Sequence, residues 1–190
     1  ENGAGKSTLI KVLTGVYEKD EGEIFLKGLD KAAVIRSPQD AQKLGISTVY
    51  QEITLCPNLS VAENMYIGRD EQKGVSWKKM NANADKILQT LDIPAKANRQ
   101  LSNYSIAIQQ MVAIARAVDM ECKVLILDEP TSSLDEQEVE KLFGLMRDLR
   151  AKGVGIIFVT HFLDQVYEVC DKITVLRDGG LVGEYEIADL

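Results

Sequence analysis

The stretch VLILDEP, residues 124–130, decides the fold. Four apolar residues, Val124, Leu125, Ile126 and Leu127, stop abruptly at two carboxylates, Asp128 and Glu129, and then Pro130. A strand that is apolar on both sides has both faces covered, as a parallel sheet between helical layers requires. Ligands of such sheets bind beyond the carboxyl ends of the strands. Asp128 and Glu129 therefore stand where chemistry collects; the alternative is that they cap the next helix, since Pro130 follows at once.

Working outward, residues 136–152 have the period of an amphipathic helix stopped by Gly153, and residues 155–160 repeat the buried-strand pattern, ending at His161. Residues 162–170 read as a helix, and 173–185 as a hairpin turning at Asp178-Gly179-Gly180. Upstream, residues 46–50 form a strand that ends at Gln51-Glu52. Ser37-Pro38 opens a short helix closed by Gly45, residues 23–27 read as another strand, and a first helix runs from Ser7 to Gly15. From 57 to 118 the signal is almost wholly helical, with a capping box at Ser60-Val61-Ala62-Glu63 and helices over 80–91 and 105–118. The expected architecture is one α/β domain over 1–190, with a mostly parallel sheet and antiparallel pairing early and late. Its core spans 1–56 and 119–190, with an inserted helical lobe over 57–118.

The chain opens with ENGAGKSTL, residues 1–9. Backbone N–H groups around Gly3, Ala4 and Gly5 suit an anion nest, and the helix starting near Lys6 aims its dipole at the same place. Lys6 supplies a charge for outer phosphates and Ser7 a hydroxyl for magnesium. The alternative is a Gly-rich helix N-terminus with an exposed lysine. The leading glycine and strand of a phosphate loop are expected upstream of Glu1, with the strand beside residues 124–127.

Net charge is -7 with both signs interleaved, which argues against nucleic acid as the main partner. The apolar fraction of 45% is that of a globular protein. The longest relevant apolar run, residues 154–159, is far short of a membrane span. With no signal-peptide pattern, the chain reads as soluble. Cys56, Cys122 and Cys170 are far apart and lack C-x-x-C spacing, so they read as reduced, small core residues.

Gln51, Asp128-Glu129 and His161 each follow a strand. Individually they read as a solvated turn, a helix cap and a structural histidine. Together with a G-K-S-T loop they suggest phosphoryl-transfer chemistry. Asp128 and Ser7 offer hard oxygens to Mg2+, Glu129 polarises an attacking water, and Gln51 orients the water or completes the metal shell. His161 holds the γ-phosphate through a ring N–H. No N-K-x-D stretch is present to read guanine, so ATP is the expected nucleotide.

The order of Gly3-Ala4-Gly5-Lys6-Ser7-Thr8, Gln51, VLILDEPTSSLD and Thr160-His161 resembles ATP-binding cassette (ABC) proteins over essentially the whole chain. The resemblance implies a P-loop NTPase-type fold whose first strand is missing here. It identifies the segments as a Walker A loop that includes Asn2, a Q-loop at Gln51, Walker B with Asp128 and the catalytic Glu129, a D-loop at Asp135 and an H-loop at His161. The signature L-S-G-G-Q departs: Tyr104-Ser105-Ile106-Ala107-Ile108 and then Gln109-Gln110 stand in its place. In that family the segment caps ATP on a facing cassette, which would place Ser105, Ala107 and Gln109 in trans. Bulky Ile106 hinders close approach to a phosphate, so a weakened role is expected.

Phrases such as GISTVYQEITLCPNLSVAENMYIGR, residues 45–69, and IIFVTHFLDQVYEVCDKITVLRDG, residues 156–179, are similar to the first cassette of two-cassette sugar importers of the ribose, xylose and galactofuranose type. The second phrase leans to galactofuranose. The resemblance implies an ATPase at the cytoplasmic face of the membrane that energises carbohydrate import. Its implied partners are a second cassette, membrane-spanning permease subunits and, indirectly, a periplasmic or extracellular sugar-binding protein, with no nucleic acid. The alternatives are a non-transport cassette acting on ribosomes or DNA, and a mainly structural cassette half with little turnover.

Overall fold

The computed structural model describes residues 3–51, 54–69 and 76–190. Strands β1 (Ile46–Val49), β2 (Val124–Asp128) and β3 (Gly155–Val159) form a parallel sheet in the order β1-β2-β3. Val49 lies opposite Leu127, and Asp128 opposite Val159. Leu125, Ile126 and Leu127 are fully buried. They alternate across the sheet: Leu125 and Leu127 join the cluster of Phe143, Met65 and Leu142, while Ile126 joins Ile10, Ile35 and Ala41. At about 1.5–3 kcal/mol for each such side chain, this strand anchors two cores at once.

Helix α1 (Lys6–Leu13) follows the opening loop, and α2 (Pro38–Lys43) starts at Ser37, whose hydroxyl accepts the Asp40 N–H at 3.2 Å. Between β1 and β2 lie α3 (Val61–Tyr66), α4 (Trp77–Thr90) and α5 (Ile106–Asp119). The capping box at Ser60 and Glu63 is formed. These three helices pack on one another, and α5 also packs on β1 and on α6 (Glu136–Ala151), so the helical stretch shares its core with the sheet. Helix α7 (Leu163–Val169) and the antiparallel pair β4 (Lys172–Arg177) and β5 (Gly180–Glu186) complete the chain.

Two sequence expectations are corrected. Residues 23–27 form no strand and no early antiparallel pair. Ile24 and Leu26 pack inward and Phe25 is exposed, as in a strand, but the segment is tied by the Ala33 N–H to Ile24 C=O bond at 2.7 Å rather than by a ladder. Nor can a further strand lie beside residues 124–127, because β1 and β3 already occupy both flanks of β2.

Candidate functional site

The polar groups that follow the three strands converge because parallel strands share one carboxyl end. A cavity of about 650 Å³ is lined by residues 3–8, Gln51, Asp128, Glu129 and His161. Asn2 lies outside the described residues. The loop reaches the cavity through two glycines in left-handed backbone, Gly3 at φ 92° and Gly5 at φ 95°. Gly5 is doubly required, since a Cβ there would stand 3.2 Å from the Gly179 Cα. The Gly179 N–H donates to the Ala4 C=O at 3.2 Å, so the β4–β5 turn buttresses the loop. Helix α1 begins at Gly5 without a side-chain cap, and its backbone ladder starts with Leu9 N–H to Gly5 C=O. Its first-turn N–H groups are thus placed to receive an anion.

Asp128 ends β2, partly buried. Burial pushes its carboxyl above the usual range, Glu129 pushes the same way, and Lys6 opposes both. Among protein groups, Lys6 is the nearby positive charge that acts on Asp128. A hydroxyl at Ser7, the carboxylate of Asp128 and the Gln51 amide on one cavity wall are hard oxygen donors of the kind magnesium selects. Among the described residues no cluster of three or more His, Cys, Asp or Glu could hold a metal by itself. A magnesium shell here would be shared with phosphate oxygens and water, as that ion prefers.

Glu129 has φ 47°, a left-handed backbone that costs a glutamate about 1–2 kcal/mol. Its N–H donates to the Val159 C=O at 2.8 Å, which turns the chain sharply off β2 toward the end of β3. His161 Nδ1 stands 3.4 Å from Glu129 Oε1, and its ring stacks on Phe162 at 4.0 Å between centroids. A carboxylate and an imidazole thus face one volume with space for a water between them and a phosphate.

Ser105, Ala107, Gln109 and Asp135 are not among the residues that line this cavity. Ser105 is the exposed N-cap of α5, its hydroxyl accepting from Ile108 N–H at 3.4 Å. Ala107 is buried, and the Gln109 amide donates back to the Tyr104 C=O at 2.9 Å. Asp135 caps α6, accepting from Glu138 N–H at 2.8 Å. Thr131 and Gln165, which the sequence reading passed over, follow Glu129 by two residues and His161 by four and are joined by a hydrogen bond of 2.6 Å. Neither position carries a local pattern that would have announced it.

The family described as ABC transporter matches residues 1–132. The galactofuranose transporter ATP-binding protein YtfR of Escherichia coli (strain K12) is 54% identical over the whole of this chain and 38% of its own length. The ribose import ATP-binding protein RbsA of Caldanaerobacter subterraneus subsp. tengcongensis is 45% identical over the whole chain and 38% of its length. The chain therefore spans less than two fifths of these relatives. The crystal structure of a nucleotide-free ATP-binding cassette from an ABC transporter superposes with a TM-score of 0.85 at 26% identity, covering 98% of this chain and 78% of that one. A P-loop geometry at the carboxyl end of a parallel sheet and a family match over more than half the residues agree: the chain belongs to the ABC transporter family.

Proposed function

We propose that this chain is the ATP-binding and ATP-hydrolysing cassette of a carbohydrate importer at the cytoplasmic face of a membrane. The observation that carries the proposal is the convergence of the 3–8 loop, Gln51, Asp128, Glu129 and His161 on one cavity. The relatives' names, a galactofuranose transporter and a ribose importer, support the sugar class. No helix among the described residues is long and apolar enough to cross a membrane, and the relatives' names, a transporter and an importer, support membrane-spanning permease subunits as partners. A second cavity of about 370 Å³ between α2, β1 and α5 offers them a docking face.

In this reading Lys6 and the loop N–H groups bind the outer phosphates, and Ser7, Gln51 and Asp128 hold Mg2+. When bound, the ion would supply charge neutralisation at the phosphates. Glu129 accepts a proton from the attacking water, and His161 orients the water or the γ-phosphate by a ring N–H. Ser105 and its neighbours face the nucleotide of a second cassette, and Asp135 shapes the same interface.

The test is Glu129→Gln in the assembled transporter. Nucleotide affinity is expected to persist while hydrolysis falls by about 10²–10⁴, and Lys6→Ala is expected to weaken nucleotide binding itself. Unchanged turnover in Glu129→Gln would move the hydrolysing site elsewhere and leave this chain a structural half.

A further inference from the structure

Glu129 and His161 lie on different segments, one leaving β2 and the other leaving β3, and something must keep them in register. The β2–β3 ladder ends at Asp128 opposite Val159, before either residue. Beyond it, the Glu129 N–H to Val159 C=O bond holds the near side of the Glu129 turn. On the far side Pro130 fixes one dihedral, and Thr131 follows, 4% exposed. The Thr131 hydroxyl donates to Gln165 Oε1 at 2.6 Å. Gln165 belongs to α7, the helix that starts two residues after His161.

That helix is otherwise tied away from the Glu129 turn, by Glu168 to Arg147 of α6 at 3.1 Å and by Val169 packed on the core. It has 7 residues and no side-chain cap at Phe162, and Val166 is its buried residue. A helix so short does not persist without tertiary anchors. A left-handed glutamate likewise holds only where its surroundings over-determine it. The Thr131–Gln165 bond joins these two weak points directly.

We propose that Thr131 and Gln165 are a positioning pair: their hydrogen bond sets the direction of His161 relative to Glu129. The proposal rests on the assignment of these two as the hydrolytic groups, although its structural half can be read without turnover. Misplacement of a catalytic group by about 1 Å costs up to about 10²-fold in rate, so a partial loss of register predicts a fall of about tenfold in kcat.

Two measurements test it. In the assembled transporter, Thr131→Val removes the donor with little change of shape, and Gln165→Leu removes the acceptor at a partly exposed position. Each is expected to lower kcat by about tenfold with KM for ATP unchanged, the double variant no further than either single, and Thr131→Ser to restore the rate. Independently, the NMR signals of the His161 imidazole, identified by their loss in His161→Gln of the same protein, report its position. Those signals, shifted by the Phe162 ring, are expected to move in Thr131→Val and Gln165→Leu and to return in Thr131→Ser. If the imidazole signals stay at their wild-type positions in both variants, the pair does not position His161 and the proposal fails. If they move but Glu129→Gln leaves turnover intact, the pair stands and the hydrolytic assignment falls.

Discussion

Asp128 is the residue at which folding and ligand binding pull in opposite directions. Burial and the adjacent Glu129 raise its carboxyl above the usual range, and Lys6 relieves this only in part. For a carboxyl whose folded pKa is raised, ionisation costs stability at every pH above that folded value. The cost vanishes once pH falls below the unfolded value, about 4. Asp128→Asn is therefore expected to raise the melting temperature of the nucleotide-free protein at pH 7 by about 1–3 °C, with the gain shrinking as pH falls through the carboxylate range. Melting curves of both proteins at the two ends of that range decide it. A gain equal at both ends would trace the effect to packing rather than to ionisation. Five residues that line the cavity were legible in the sequence as candidates: Gln51, Asp128, Glu129 and His161 because each follows a strand, and Lys6 because it follows a glycine-rich loop. Thr131 and Gln165 were not, since their pairing depends on where α7 lands after β3.

At the scale of elements, the well-read segments are those whose signals are local. Ser37-Pro38, the Ser60-Glu63 box and Gly153 cap or stop helices through contacts within a few residues, and β2 declares burial by its composition alone. Residues 23–27 alternate like a strand, yet a ladder needs a neighbour, and strand neighbours are not encoded locally. The same reason defeats the expectation of a strand beside β2. Asn64 shows the reverse case, a polar residue in the middle of VAENMY that is wholly buried. Its Oδ1 accepts the Cys56 N–H at 2.7 Å, and its Nδ2 donates to the carbonyls of Cys56 at 2.9 Å and Ser60 at 3.0 Å. Arg116 of α5 then donates to the Asn64 and Ile67 carbonyls at 3.0 and 2.9 Å, fastening the end of α3. Asn64→Leu keeps the volume but leaves the Cys56 N–H unpaired, while the Cys56 C=O keeps the Leu59 N–H at 3.1 Å. It is expected to destabilise by about 1–3 kcal/mol, read as a lower urea midpoint with an unchanged slope. A loss under about 0.5 kcal/mol, the size of an ordinary surface change, would show that water replaces the amide at no cost.

For the whole molecule, the Ser105 segment does not line the cavity, and this separation suits a site completed by a second cassette, in the same polypeptide or in a dimer. Ser105 and Ile106 are exposed at the N-terminus of α5, whose 14 residues give it a full dipole. Neither lines the cavity that holds Lys6. An anion met by Ser105 would then belong to a facing cassette. Ser105→Arg inserts a long cation at that face and is expected to lower turnover at the facing site while nucleotide affinity at Lys6 stays unchanged. The Ser105 cap is long, at 3.4 Å, so its loss costs the helix little and the variant remains folded. Exposed Ile106 already keeps backbone from approaching a phosphate closely. The loss is accordingly expected to be smaller than the same substitution causes in a cassette with two glycines after the serine. Nucleotide titration at each site, with hydrolysis followed against protein concentration for separated cassettes, checks the idea. Turnover independent of concentration, or an affinity loss confined to the Lys6 site, would exclude action across an interface and leave Ser105 a helix cap alone.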